Sequence, residues 1–578
     1  MAGAHQRGGT ANDESRVLLR AAARHSAGRR TALTVAGVAS AGAGLLLPAA
    51  LGRALDLLLA HESATRWVLL CAGLVLLTAV LDAADTVLHG TVDARTTAWL
   101  RRRATGHVLA LGPRAQDRFP AGELVARLVG NAAAAGTAPA ARAALPAAIV
   151  VPAGGVVALA LIDPWLAVVL LAGAPPLYLL LRALARDTSA SVTDYQRVQG
   201  RMAATLAEAV AGRRTIRAAG LQERETARIL APLEELSRAG HRMWRVQGRA
   251  AAQAVAVAPL LQLAVVAVAG LLLARHRLTA GELLAASRYA VLATGVGALV
   301  GQLTAVARAR AAAGRLGELH AVPAPRYGRR RLPEGGLGRL ELRGVTARRG
   351  ERTVLDGVDL VVPGGTTLAV VGRSGTGKSV LAALVARLAD PDAGEILLDG
   401  VPLRELSAEE LRTAVACAFD RPVLLGTTVE DALALGLPHP SPGRVRDAAR
   451  SAHADDFVRR LPSGYGTALA DAPRSGGESQ RLGLARAFAR GGRLLVLDDA
   501  LSSLDTVTEH HITEALTGPG GRGTRLLVAH RAATAARADV VAWLDGGRVR
   551  AVGRHETLWR DPGYRAVFAG AEREEAGR

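Results

Sequence analysis

Residues 370–380 read VVGRSGTGKSV, and within them GRSGTGKS (372–379) fits the pattern G-x-x-x-x-G-K-[ST]. The preceding TLAVV (367–371) is apolar and β-branched, as a buried strand requires, and the following SVLAALVARL has helical spacing. A glycine-rich turn between strand and helix points successive amide N–H groups inward, where the positive end of the helix dipole adds to them. The pattern therefore predicts a phosphate cradle formed by Gly372, Arg373, Ser374, Gly375, Thr376, Gly377, Lys378 and Ser379. Lys378 would reach the β- and γ-phosphates, and the Ser379 hydroxyl would ligate Mg²⁺. Lys378 is also the sole lysine: every other one of the 71 Lys and Arg residues is arginine.

Downstream lies RSGGESQRLGLARAFARGGRLLVLDDALSSLD (474–505), then LLVAHR (526–531). Four apolar residues, Leu494 to Leu497, would carry Asp498 to the end of a strand, opposite Ser379 and within reach of the Mg²⁺ hydration shell. His530 would end another strand. From about Leu340 onward, short β-type runs alternate with helical stretches, which predicts an α/β domain with a largely parallel sheet.

The preceding part has a different texture. Six apolar runs, Thr31–Leu51, Trp67–Val87, Ala143–Leu161, Trp165–Leu181, Ala251–Leu273 and Leu283–Val306, are candidates for spanning the roughly 20-residue thickness of a bilayer core. The connections after the second and fourth runs are long and rich in arginine, including Arg101, Arg102, Arg103, Arg213, Arg214 and Arg217. By the positive-inside rule both connections and both termini are cytoplasmic, and the short turns face out. Arg275 and Arg277, in one of those turns, run against the rule. The first thirty residues carry no cleavage pattern, so the first run is expected to be retained.

The net charge is +20, but aromatic residues make up only 3% of the chain, too few for base stacking, and the apolar runs need lipid. A nucleic-acid partner is therefore not expected. Cys71 and Cys417 are the only cysteines and lie far apart, which excludes a disulfide framework or a cysteine metal site.

Taken together, the chain resembles an ATP-binding cassette (ABC) exporter, the half-transporter arrangement with six membrane helices fused ahead of one nucleotide-binding domain. SGGESQR followed by LLVLDDALSSLD carries that resemblance most specifically; RFPAGELVARLVGN and EAVAGRRTIRAAGLQERE look like the family's two intracellular loops. The implied fold is an all-α six-helix transmembrane domain followed by an α/β P-loop domain with a helical signature subdomain. The boundaries implied are a cytoplasmic N-terminal segment at 1–30, the transmembrane domain at 31–312, a linker at 313–339, the cassette at 340–572 and a tail at 573–578. The resemblance further implies ATP and Mg²⁺, a cytoplasmic-membrane location, an exported substrate, and a dimer in which Ser475, Gly476 and Gly477 of one subunit face the ATP on the other's P-loop. Asp499 would polarise the attacking water, and His530 would hold the γ-phosphate.

Several positions depart from the family pattern. Arg349 stands where an aromatic residue stacks on adenine. Asp420 replaces the glutamine that senses Mg²⁺ and water, Arg474 replaces the first leucine of the signature, and Glu478 is its last residue. Asp499 replaces a glutamate and is one methylene shorter. These departures predict slow hydrolysis at this chain's own site and favour a heterodimer with a second half-transporter over a homodimer. An ATP-binding regulatory or signalling protein with little transport is the alternative. Asp82, Asp85, Gln262, Arg288 and Gln302 within the apolar runs are candidate cargo contacts.

Overall fold

The computed structural model describes residues 2–576 except 114, 116, 117, 296, 351, 473 and 518–522; side chains at 2–12, 174, 176–193, 250, 251, 253–258 and 570–576 also lie outside the description. Two compact units emerge, Met1–His107 with Ala121–Val322, and Val108–Pro120 with Pro323–Arg578.

The first unit is helical. Its main elements are α1 (Ala2–His25), α2 (Ala27–Leu59), α3 (Thr65–Leu111), α4 (Ala138–Ile162), α5 (Pro164–Ala211), α6 (Leu233–Ala274), α7 (Ala280–Thr294) and α8 (Gly297–His320). Among the described residues four helical stretches are long and apolar enough to cross a membrane: Ala27–Leu59, Thr65–Leu111, Ala121–Ile162, which ends in α4, and Ala280–His320, which contains both α7 and α8. Pro164–Gly173 and Pro259–Ala274 form shorter apolar stretches. The Leu181 end of the fourth apolar run and the Ala251 start of the fifth fall where side chains are outside the description.

The run Leu283–Val306, continuous in sequence, is divided between α7 and α8. Gly295 leaves the helical conformation, with its N–H bonded to Leu292 O, and Gly297 begins the next helix. Glycines on both sides of the break lower its cost.

The turns before α5 and before α7 meet through an ion pair. Arg277 lies 2.9 Å from the Asp163 carboxylate, which also accepts from Trp165 N to cap α5. Arg277, one of the two arginines that run against the charge rule, is thus neutralised locally. On the opposite side of the helices, buried Arg127 of the first long connection pairs with Glu123 and with Glu318 of α8, at 2.6 and 2.7 Å.

α2 and α7 approach closely at Gly52 and Gly281. A Cβ on Gly281 would overlap the Gly52 carbonyl, and the Asp56 carboxylate accepts from Thr279 Oγ1 and Gly281 N at 2.7 Å each. Gly281→Val is expected to destabilise this contact by about 1–3 kcal/mol, read as a lowered thermal midpoint of the detergent-solubilised chain.

The second unit contains a six-stranded sheet in the order β10-β9-β3-β8-β7-β6 and a four-stranded sheet in the order β2-β1-β4-β5. β3 (Thr367–Val371) is buried throughout and pairs in parallel with β8 (Thr524–Val528) and β9 (Val540–Asp545). β7 (Leu494–Asp498) pairs in parallel with β6 (Val415–Phe419) and β8. β10 (Arg548–Gly553) is antiparallel to β9. β1 (Leu340–Arg349), β2 (Arg352–Val362), β4 (Ala393–Leu398) and β5 (Val401–Pro402) form the antiparallel sheet.

Residues 429–490 add helices, including Val429–Ala434, Pro442–Ser451 and α10 (Gly476–Arg490), whose apolar faces join one core through Val429, Leu433, Val445 and Leu482. Parallel strands buried on both faces explain the unbroken apolar runs TLAVV and LLVL. Cys71 and Cys417 are both free thiols. Burial pushes the Cys417 thiol up to about 11, which disfavours the reactive thiolate.

Candidate nucleotide site

The strands of the parallel sheet deliver the site's residues to one edge. β3 runs into the glycine loop, where Gly375 (φ +79°) and Gly377 (φ +101°) take backbone conformations that side chains rarely adopt. A Cβ on Gly377 would come within 2.8 Å of Leu355 Cδ2, so that position has neither the angle nor the room for another residue. α9 (Lys378–Val385) starts directly afterwards.

Lys378 is 6% exposed, and Nζ donates to Gly372 O at 2.8 Å and Arg373 O at 3.1 Å. The ammonium is held inside the turn by the loop's own carbonyls, which offsets the cost of burying it. Thr376 Oγ1 donates to Arg373 O at 2.8 Å and tightens the same turn.

At the end of β7, Ser379 makes a side-chain hydrogen bond to the Asp498 carboxylate, while Asp498 Oδ1 is buried with no hydrogen-bond partner among the described residues. Burial raises the Asp498 pKa, the Ser379 bond lowers it, and Asp499 and Asp420 raise it by repulsion. An orphaned carboxylate oxygen beside a hydroxyl, among further carboxylates, fits a divalent cation, which would satisfy the oxygen and relieve the repulsion.

Asp499 has φ +53°, and its Oδ1 lies 2.7 Å from His530 Nε2. The left-handed turn after β7 aims the carboxylate across to His530, two residues beyond the end of β8, so two motifs far apart in sequence become one pair.

Asp420 does not stand alone. Its Oδ1 accepts from Gln480 Nε2 at 3.0 Å and from Ser502 Oγ at 2.9 Å, and Gln480 Oε1 accepts from Ser503 N at 3.0 Å. Gln480 and Ser502 lie inside SGGESQR and LSSLD, yet the sequence reading assigned them no role. Only the fold shows that they tie the Asp420 loop, α10 and the segment after β7 into one network.

Ser475 caps α10: its Oγ accepts from Glu478 N at 3.2 Å, and Glu478 Oε2 accepts from Ser475 N at 2.7 Å. This reciprocal box leaves Gly476 exposed at the helix start. Arg474 is half-buried with Nη1 enclosed and without a partner among the described residues, a charge placed where an apolar side chain would pack.

A cleft of 1260 Å³ brings together Gly372, Arg373, Ser374, Asp420, Gly476, Asp499 and His530. Arg349 is not among the residues lining it; it is exposed at the end of β1, opposite Arg352. Anion-binding amides, a lysine, a cation-binding carboxylate and a carboxylate–imidazole pair can together bind a polyphosphate and activate water at its terminal phosphorus.

In the membrane-type unit, Asp82 accepts from Ser40 Oγ at 2.6 Å, and Gln262 Nε2 donates to Thr294 Oγ1 at 3.0 Å beside the α7–α8 break. Arg288 is exposed, and Asp85 and Gln302 are half-buried.

The sequence profile described as "ABC transporter" matches residues 355–502, and that described as "ABC transporter transmembrane region" matches residues 31–295. The ABC transporter ATP-binding protein RamA of Streptomyces coelicolor is 54% identical over 531 residues, covering 92% of this chain and 84% of that protein. The ATP-dependent lipid A-core flippase of Chromohalobacter salexigens is 41% identical over 235 residues, covering 40% of this chain and 41% of its own. A bacterial Atm1-family ABC exporter with ATP bound shares the fold, with a TM-score of 0.77, 24% identity, and coverage of 94% of this chain and 98% of that one. The chain therefore belongs to the ABC transporter family, with the transmembrane region and the ATP-binding cassette fused in one polypeptide.

Proposed function

We propose that this chain is one half of a dimeric, ATP-driven exporter whose own ATP site is attenuated, and that its preferred partner is a second, different half-transporter. The observation that carries the reading is the Asp499–His530 pair. The water-polarising position holds the shorter carboxylate, and that carboxylate is already bonded to the imidazole at 2.7 Å. Residues 31–312 form the membrane pathway, 313–339 the linker and 340–572 the cassette. Both termini lie on the cytoplasmic side of the cytoplasmic membrane. The name of the flippase relative supports outward movement, and the arginine-rich long connections support the orientation.

Each residue then has a task. The amides of residues 372–379 and Lys378 Nζ bind the ATP phosphates. Ser379 and Asp498 would hold Mg²⁺, with Asp420 nearby, and the ion would neutralise charge on the phosphates. Asp499 takes a proton from water while His530 orients it. Asp420 has spent Oδ1 on Gln480 and Ser502, which makes it a structural link between the signature helix and the sensing loop more than an open ligand. Ser475, Gly476 and Gly477 face the partner's nucleotide. Arg349 would have to swing from its exposed place to stack on a base.

The test is ATP-dependent transport and phosphate release in inside-out vesicles carrying this chain alone or together with a second, different half-transporter from the same organism. The pair is expected to hydrolyse ATP and move cargo well above the lone chain. Equal hydrolysis by the lone chain removes the unequal-site reading, and hydrolysis without movement of any cargo favours a regulatory cassette.

A further inference from the structure

Arg20 and Arg24 of α1, Arg30 of α2 and Arg142 of α4 surround a cavity of 290 Å³ whose remaining wall is Ala23 and Ala27. Arg310 of α8 adds a fifth positive neighbour beside Arg142. Among the described residues, none of these five clustered arginines forms an ion pair with a carboxylate, as Arg127, Arg201 and Arg277 of the same unit do. Guanidinium groups brought this close repel one another, and arginine's planar fork matches the oxygens of phosphate.

The depth of the cavity follows from the sequence. Arg30 immediately precedes the apolar run that begins at Thr31, and Arg142 immediately precedes the one that begins at Ala143. Thr34 Oγ1 donates to Ala143 O at 3.3 Å, and Leu33, Val92, Ala140 and Ala143 form one apolar cluster, so α2 and α4 begin their apolar runs at the same level. Arg310 follows the end of the last apolar run by one helical turn. α1 buries Leu18, Leu19, Ala22 and Ala23 against this unit and leaves Arg20 and Arg24 exposed. The arginines therefore gather where hydrocarbon gives way to water, the depth of lipid phosphates.

We propose that this cavity binds the phosphate of an anionic phospholipid headgroup, which bridges α1 to α2, α4 and α8. The ligand chemistry is a phosphate oxyanion, and the position at the edge of the apolar runs assigns it to a lipid and not to free phosphate. The alanine wall accommodates the glycerol end of the headgroup. The lipid supplies the negative charge that the protein leaves out.

The test uses the full chain in phosphatidylcholine nanodiscs with fluorescently labelled cardiolipin as probe. Binding is expected to weaken about 5-fold for each arginine removed, and on the order of 100-fold in R20Q/R24Q/R142Q. R213Q/R214Q, which alters two exposed arginines elsewhere, is expected to bind as the unaltered chain does. R20Q/R24Q changes exposed positions only, and an unchanged thermal midpoint in pure phosphatidylcholine shows that it folds. The proposal is overturned if R20Q/R24Q binds cardiolipin as tightly as the unaltered chain. It is also overturned if millimolar inorganic phosphate displaces the probe, which would mark the cavity as a site for free phosphate.

Discussion

Lys378→Arg abolishes ATP-dependent activity. The Lys378 ammonium is 6% exposed and bonded to Gly372 O and Arg373 O inside a turn that cannot widen. Gly377 on one side is locked at φ +101° against Leu355, and Gly372 on the other has no space beside the Leu544 carbonyl. A compact ammonium on a flexible stem can leave the two carbonyls and take up phosphate oxygens within the same ring. A planar guanidinium of the same charge is too broad to enter it. Charge-assisted hydrogen bonds are worth about 1.5–3 kcal/mol each, so losing two or more to phosphate costs on the order of 10²-fold or more in ATP affinity. Phosphate release by the variant purified without a partner, where no second P-loop contributes, is expected at background. Normal turnover by Lys378→Arg would refute the assignment. A chain that uses arginine at every other basic position keeps its single lysine where the exchange fails.

Asp499→Glu raises hydrolysis at this chain's own site by on the order of 10²-fold, because misplacing a catalytic group by about 1 Å costs that much. The extra methylene carries the carboxylate past its present bond to His530, toward the position of the attacking water. One effect opposes the gain. Residue 499 has φ +53°, which aspartate tolerates better than glutamate, so the variant is expected to lose about 1 kcal/mol of stability. Steady-state phosphate release, measured for the variant with and without Lys378→Arg in the same chain, isolates this site from a partner's. No increase in rate would mean that the shorter side chain is not what limits the site.

The parts of the site that were legible in sequence are those whose geometry is local. The glycine loop, Lys378 and Ser379 lie within eight consecutive residues, and the strand and helix on either side orient them whatever the rest of the chain does. Asp498 and Asp499 follow four apolar residues that fit a buried strand, as they form in β7. The apolar runs were legible for a similar reason, since lipid imposes their length and composition independently of their neighbours. Arg349 shows where local reasoning ends: its exposed place at the end of β1, opposite Arg352, is set by the β1–β2 pairing and not by the residues next to it.

Sequence alone determined the family, the nucleotide loop and the division into a lipid-facing half and an α/β half, because short motifs and hydrophobic periodicity answer to backbone geometry and solvent. Tertiary structure alone decided that Asp499 reaches His530, that Asp420 is held by Gln480 and Ser502, that Arg277 is neutralised by Asp163, and that arginines from separate helices share one cavity. The paired contacts join residues 31 to 114 positions apart, and the cavity gathers arginines as far apart as Arg20 and Arg142; no local rule encodes them, and they exist only once strands and helices have packed.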